Sequence, residues 1–350
     1  MRELHIENEK RYEYLFQLAE KCILLNNPNI TQNKFWYKYS LFKWHKDFIV
    51  GKFEEAYKIS EDLYSTLPQV AEFFEQHDDY AGQVYNAHGL SIKMINSGNA
   101  AELFFEKGLE KYPNSYYTKA ALLSQTGNRL LKTDPTAACK KYLHLLKTVK
   151  GKEYPFQEVL HTRIDVAMSS FLAVDFAVAT EWAKESSDIA SSVGIYVQKG
   201  RALNILGCCQ AAEGFYEKSI DTFKESLLLL SLYKAMIYLW RAQLNLASIL
   251  LTIGNKEEAF LLLHEVIAIL QKHFMVKIRV DNMSVPYQSL LLILMYLQEE
   301  NCKEEIKHIL SQVGVSSIKK DFLQLSKCRN WKEAFHNKVI CYNSIVLVTG

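Results

Sequence analysis

Hydrophobic positions recur at helical spacing along most of the chain. An early example is the run Phe35, Trp36, Tyr37, Tyr39, Phe42, Trp44 and Phe48, in which 35, 39 and 42 share one helical face and 37, 44 and 48 another. Apolar residues on two faces are expected of a helix buried on several sides; read alone, the cluster would also serve as a sticky docking surface. The same periodicity places helices near 6–26, 32–50, 53–66, 70–77, 80–97, 100–111, 115–132, 136–149, 155–173, 175–192, 196–213, 216–230, 235–253, 256–273, 286–299, 303–312 and 319–328. The connections are short. Breaks fall at Asn27-Pro28-Asn29, Tyr112-Pro113-Asn114, Thr133-Asp134-Pro135 and Tyr154-Pro155, because proline cannot continue a helix and pushes its predecessor toward extended geometry. From Lys338 to Gly350 the pattern changes, and Ile345-Val346-Leu347-Val348-Thr349 suits a short strand or a docked tail.

Composition agrees with long helices. Gly (14) and Pro (6) together are about 6% of 350 residues, half the roughly 12% of average usage. A sandwich, barrel or doubly wound sheet of this length would need many more tight turns, each calling on Gly, Pro, Asn or Asp. With 49% hydrophobic residues the chain has ample core material, and a net charge of +2 gives no global field for gripping nucleic acid or an anionic membrane. Seven cysteines, odd in number and without a C-x-x-C pair, build neither a disulfide framework nor a zinc site. The first twenty residues carry charges throughout, and no stretch reaches the roughly eighteen uncharged residues of a membrane span. A cytoplasmic protein is expected.

The chain also repeats itself. Gly51-Lys52-Phe53-Glu54-Glu55-Ala56, Gly214-Phe215-Tyr216-Glu217-Lys218-Ser219 and Gly254-Asn255-Lys256-Glu257-Glu258-Ala259 share one form: a Gly, a charged stretch, and a small residue five positions on. Gly207 and Ala247 stand seven residues before the last two of these glycines. Seven residues make about two helical turns, so the small residue lies on the face where the next helix must pack close.

This arrangement resembles the tetratricopeptide repeat, with a small residue in the first helix, a Gly-containing turn seven residues later, and a small residue early in the second helix. The unit turning at Gly214 matches best, and its second helix continues with Phe223, Ser226 and Leu227, the large-then-small order with which the family seats one repeat on the next. Weaker copies turn around Asn99, Asp134, Val174 and Asn301: Gly127 precedes Asp134 by seven, Ala167 precedes Val174 by seven, and Ala179 follows Val174 by five. The steps from turn to turn are about 48, 35, 40, 40, 40 and 47 residues, longer in the centre than the family's usual length of about 34. Such lengthened repeats look like those of bacterial regulators and of the sensor halves of signal-transducing (STAND-type) ATPases. The resemblance covers roughly residues 34 to 310, most strongly 160 to 270. It implies an all-α, right-handed α-solenoid of about seven helix pairs: a capping helix in 1–33, repeats over 34–312, and a C-terminal cap with a short extended tail over 313–350.

No motif for catalysis stands out. The glycines are isolated, and neither Gly51-Lys52 nor Gly151-Lys152 has the spaced upstream Gly and following Ser or Thr of a P-loop. The ten histidines include no H-E-x-x-H, and there is no G-x-S-x-G elbow or local Cys/His signature. Vicinal Cys208 and Cys209 point about 100° apart on a helix, so one thiol is expected in the core and the other at the groove. No basic recognition helix is present in the first 34 residues.

What remains is the surface that stacked pairs create. Their first helices line a concave groove, and equivalent positions form a ladder across it. His161, Arg201 and Arg241 are separated by 40 and 40 residues, and each lies thirteen before its turn residue, Val174, Gly214 or Gly254. In the resembling family that position faces the groove. Arg163 lies close by, and Asn204 sits one turn after Arg201. Guanidinium groups fork onto carboxylates or phosphates, and an Asn bonds peptide backbone as donor and acceptor. The functional reading is that this ladder holds an acidic or extended peptide or protein segment; the other is that these side chains snorkel or pair with neighbouring Glu and Asp. The acidic stretch Glu72, Glu75, Asp78 and Asp79 is read as solvated surface, or as a surface that repels wrong partners or pairs with the basic ladder of a second copy in a homodimer.

The expectation is therefore a non-catalytic intracellular scaffold that binds a protein or peptide in its groove as a ligand-responsive regulator, without cofactor, metal, membrane or direct nucleic-acid contact. The alternatives are the sensor portion of a signal-transducing ATPase system and a constitutive assembly adaptor or chaperone.

Overall fold

The computed structural model describes residues 34–49, 52–70, 77–95, 100–112 and, apart from 113, 132, 153 and 155, residues 114–269, together with Leu18 and Lys21. The expected seventh pair around Asn301, the tail over 338–350 and the acidic pair Glu72 and Glu75 lie outside the described residues. Within them stand twelve helices: α1 (Lys34–Ile49), α2 (Phe53–Val70), α3 (His77–Ile95), α4 (Ala100–Lys111), α5 (Tyr116–Leu130), α6 (Pro135–Val149), α7 (Phe156–Leu172), α8 (Phe176–Ser192), α9 (Tyr196–Ala212), α10 (Tyr216–Leu232), α11 (Met236–Thr252) and α12 (Lys256–Ile269). The expected break at 66 is absent. Instead α2 runs through Pro68 to Val70, with Pro68 in its last turn.

From α7 to α11 every helix has 17 residues, and every junction from α7 to α12 is the same three-residue turn, so helices begin at a 20-residue step. The middle residue of each turn is left-handed: Val174 (φ 65), Gly194 (φ 75), Gly214 (φ 85), Lys234 (φ 51) and Gly254 (φ 86). The next residue then donates its N–H back to the preceding helix: Asp175 to Ser170, Ile195 to Ala190, Phe215 to Gln210, Ala235 to Leu230 and Asn255 to Leu250, at 2.8 to 3.0 Å. This is the six-to-one bond of a Schellman ending, and it satisfies a carbonyl left over at the helix C-terminus. The 40-residue repeat is thus two helices and two identical turns.

Each helix packs on its successor, and α1 on α3, α3 on α5, α7 on α9 and α9 on α11 also meet. The odd helices therefore lie on the inside of the curve. Burial agrees: 11 of 17 residues are buried in α9 and 12 of 17 in α11, against four in α10. Close approach within each pair depends on small residues. A methyl group at Gly127 would fall 2.6 Å from the Tyr142 ring, and one at Gly207 3.0 Å from the Phe223 ring. Ser219 Oγ donates to the Gly207 carbonyl at 2.8 Å and Ser226 Oγ to the Gly200 carbonyl at 2.6 Å, so hydroxyls of α10 use the same contacts. The expected small-residue positions are the seam.

Among the described side chains of the α1 aromatic run, full burial is confined to one face, not to several sides as expected. Tyr37 and Trp44 are buried, and Trp44 Nε1 donates to Ser91 Oγ of α3 at 2.8 Å. Phe42 faces outward. The first hairpin also curls back on the fourth: Phe53 joins the core cluster of α7 to α12, with Phe48, Met94 and Ile95 packed against it.

Candidate functional site

On α7, α9 and α11 the expected ladder forms one wall. Arg201 lies at its centre. Its Nη1 donates to Gln198 Oε1 at 2.8 Å, its Nη2 to Asp165 Oδ1 of α7 at 3.1 Å, and its guanidinium lies over the Tyr238 ring at 4.4 Å. Asp165 is itself shared, since His161 Nε2 stands 3.4 Å from its other oxygen. Arg241 also approaches Tyr238, 6.0 Å from the ring centroid, and Trp240 at 5.4 Å. The structure therefore brings His161, Arg201 and Arg241 together through Asp165 and Tyr238.

Arg163 lies elsewhere. Two residues beyond His161 it has turned about 200° around the helix, and it faces α8, donating from Nη2 to Glu185 Oε2 at 2.6 Å with its guanidinium over Trp182 at 4.5 Å. Its placement on the groove wall is corrected to the α7–α8 flank. Asn204 is buried and accepts through Oδ1 from Asn245 Nδ2 of α11 at 3.1 Å. It stitches neighbouring odd helices. Both vicinal thiols are fully buried, so the expectation that one borders the groove is also corrected: α9 is covered on nearly all sides, and a 100° rotation does not reach solvent. Burial and the neighbouring thiol push Cys208 well up, and burial pushes Cys209 up to about 11, where each stays protonated.

Electrostatics follow from desolvation. Burial pushes the Asp165 carboxyl up to about 6, although the Arg201 charge and hydrogen bond act in the opposite direction. Burial, reinforced by Arg201, His45 and Arg241, holds His161 well below its usual range, so the imidazole is neutral. Burial also pulls Arg241 down to about 10. At neutral pH the wall therefore holds Asp165 as a carboxylate and both histidines as neutral rings.

Sequence reasoning missed Asp165, Tyr238 and His45. Asp165 was within reach, being four residues after His161 and so one turn along the same face. His45 was not. It belongs to α1, yet its Nε2 accepts from Gln157 Nε2 at 3.1 Å across 112 residues of sequence. Only curvature of the whole solenoid creates that contact. Among the described residues no group of three His, Cys, Asp or Glu is placed to hold a metal ion, and no helix is long and apolar enough to cross a membrane.

No protein-family model matches the sequence, and no curated protein matches it. Solved structures do. A Rap protein complexed with competence and sporulation factor superposes with a TM-score of 0.56 at 12% identity, over 88% of this chain and 87% of that one. RapI in its apo form gives a TM-score of 0.49 at 12% identity over 87% and 86%. A signal-transduction ATPase with numerous domains and a tetratricopeptide repeat sensor, from Pyrococcus horikoshii, gives 0.48 at 13% identity over 91% of this chain and 46% of that one. At such identities the likeness is one of fold. Helix pairing, small-residue seams and superposition agree that the chain is an α-solenoid of tetratricopeptide-like helix pairs.

Proposed function

We propose that this chain is a non-catalytic intracellular scaffold that recognises a peptide or protein segment on the wall formed by α7, α9 and α11, and that it acts as a ligand-responsive regulator. One observation carries the reading: His161, Arg201 and Arg241, from three successive repeats, converge on one wall around Asp165 and Tyr238. A surface built from equivalent positions of separate repeats is preformed, and small rotations between repeats change its pitch, so binding and shape are coupled. A protein of like fold forms a complex with competence and sporulation factor, which supports binding as the mode of action.

The test is capture from an extract of the source cell on immobilised full-length chain, read by mass spectrometry, against Arg201→Met with Arg241→Met. A control, Leu261→Lys, alters an exposed outer residue of α12. The proposal expects a partner retained by wild type and the control and depleted at least tenfold on the double variant, with helical content unchanged. Equal recovery on all three removes the wall from the account.

A further inference from the structure

The 20-residue step allows each position of the inner wall to be followed from α7 to α9 to α11. One series runs Glu158, Gln198, Tyr238; the second His161, Arg201, Arg241; the third Asp165, Ile205, Asn245. Within each helix the three positions are three and four residues apart, so they share one face. The character of that face changes along the solenoid. In α7 it carries two carboxylates, and in α11 a guanidinium beside aromatic rings.

Arg201 takes its counter-charge from Asp165, on the preceding odd helix. The position that stands to Arg241 as Asp165 stands to Arg201 is Ile205. The repeat has kept the arginine and dropped its acid. Consequently Arg241 has no carboxylate within ion-pair reach among the described residues, and its Nε is buried without an acceptor. Its neighbours are the Tyr238 and Trp240 rings. At the other end Glu158 has one ion-pair-distance neighbour among the described residues, His45 at 3.9 Å. Burial holds His45 neutral and pushes the Glu158 carboxyl upward. A desolvated charge without a counter-charge is costly, and a ligand that supplies one removes the cost.

Resting on the groove reading above, we propose that the wall binds its peptide in one direction, with an anionic group of the ligand on Arg241 at α11 and a cationic group beside Glu158 at α7. Between them Arg201 and Asp165 are paired with each other. Packed helices lie about 8–10 Å apart, so the two ends are separated by about two such spacings. A single zwitterionic amino acid is too short to bridge them, whereas an extended segment covers about 3.3 Å per residue.

The experiment is selection from a displayed library of random peptides on the full chain, on Arg241→Met and on Glu158→Gln, followed by affinity measurement of the selected peptides. The inference expects wild type to enrich peptides with an acidic and a basic group at a fixed separation and order. Replacing the peptide's acid by its amide should weaken binding at least tenfold on wild type and leave binding to Arg241→Met unchanged. Glu158→Gln should lose only the requirement for the basic group, and Arg241→Glu should select a basic group where wild type selects an acid. If a variant fails to fold, the acid-to-amide and basic-to-neutral changes in the peptide, measured on wild type, decide alone. Enriched peptides without a charge order, or an acid that matters equally on Arg241→Met, overturn the directional inference and leave the groove reading standing. No enrichment over a chain-free surface overturns both.

Discussion

Arg201 of α9 and Asp165 of α7 form an ion pair at 3.1 Å in which both side chains are nearly buried, at 10% and 5% exposure. The pair joins equivalent faces of successive odd helices, so it sets their spacing as well as the charge of the wall. Removing one partner leaves the other buried and uncompensated, which typically costs about 3–5 kcal/mol. Arg201→Met should lower unfolding free energy in urea by that order, and adding Asp165→Asn should restore most of it. A cost for Arg201→Met below about 1 kcal/mol, the range of an exposed pair, would contradict the structural role.

Two groups of the wall give opposite pH signatures. His45, pushed down by burial to about 4 from 6.5, refuses in the folded chain a proton that the unfolded chain accepts. Stability from this group is therefore present above pH 6.5 and is lost as pH falls toward 4. Asp165, pushed up to about 6 from 3.8, takes up a proton in the folded chain first, so its contribution grows as pH falls from 6 to 4. Thermal melts between pH 7 and 4.5 should show His45→Gln losing less stability than wild type and Asp165→Asn losing more. The reverse order would mean that these groups do not occupy the desolvated positions described.

The turns offer a test of backbone strain. Val174 holds φ 65 where three of the four equivalent turns have glycine. A β-branched residue there carries a left-handed penalty of about 1–2 kcal/mol, partly offset by the greater unfolded freedom of glycine. Val174→Gly should stabilise by about 1 kcal/mol in denaturant titration. Gly214→Val, at a position with nothing within 4 Å of an added methyl, should destabilise by a similar amount through backbone strain alone. Opposite signs would contradict the turn geometry.

At Gly127 the constraint is steric. An added methyl would sit 2.6 Å from the Tyr142 ring, which its hydroxyl fixes by donating to Asn128 Oδ1 at 2.7 Å. Gly127→Ala should destabilise by about 1–3 kcal/mol through overpacking, despite alanine's better helix propensity. Tyr142→Leu in the same chain should recover part of the loss, as urea titration of the single and double variants would reveal. A Gly127→Ala variant more stable than wild type would mean the α5–α6 seam is looser than described.

Much of the fold was legible because the repeat is written in small residues. Gly214 and Gly254 mark left-handed turns, and Val174 was identified as a turn residue by register although its side chain argues against it. The ladder of His161, Arg201 and Arg241 was legible for the same reason, since a fixed helix length and a fixed turn make spacing in sequence equal to stacking in space. Other features depend on rotation about a helix or on curvature. Arg163 was misplaced because adjacency in sequence is not adjacency on a helix, and Cys208 and Cys209 because α9 is enclosed on more sides than its repeat position implies. Asn204 meets Asn245, offset by 41 residues rather than 40, through the stagger of neighbouring helices. The seat of His45 against α7 arises from the bend of the whole array.

The most direct measurement of recognition on the inner wall is site-specific photo-crosslinking. A benzoylphenylalanine in place of Tyr238, an aromatic position of the wall that leaves Arg201, Arg241, Asp165 and Glu158 in place, is compared with one at Leu261, which is 65% exposed on α12. In extract of the source cell, the account predicts a discrete adduct from position 238 that excess unlabelled wild-type chain competes away, and none from position 261. An adduct from position 261 with none from 238 would contradict recognition on the inner wall.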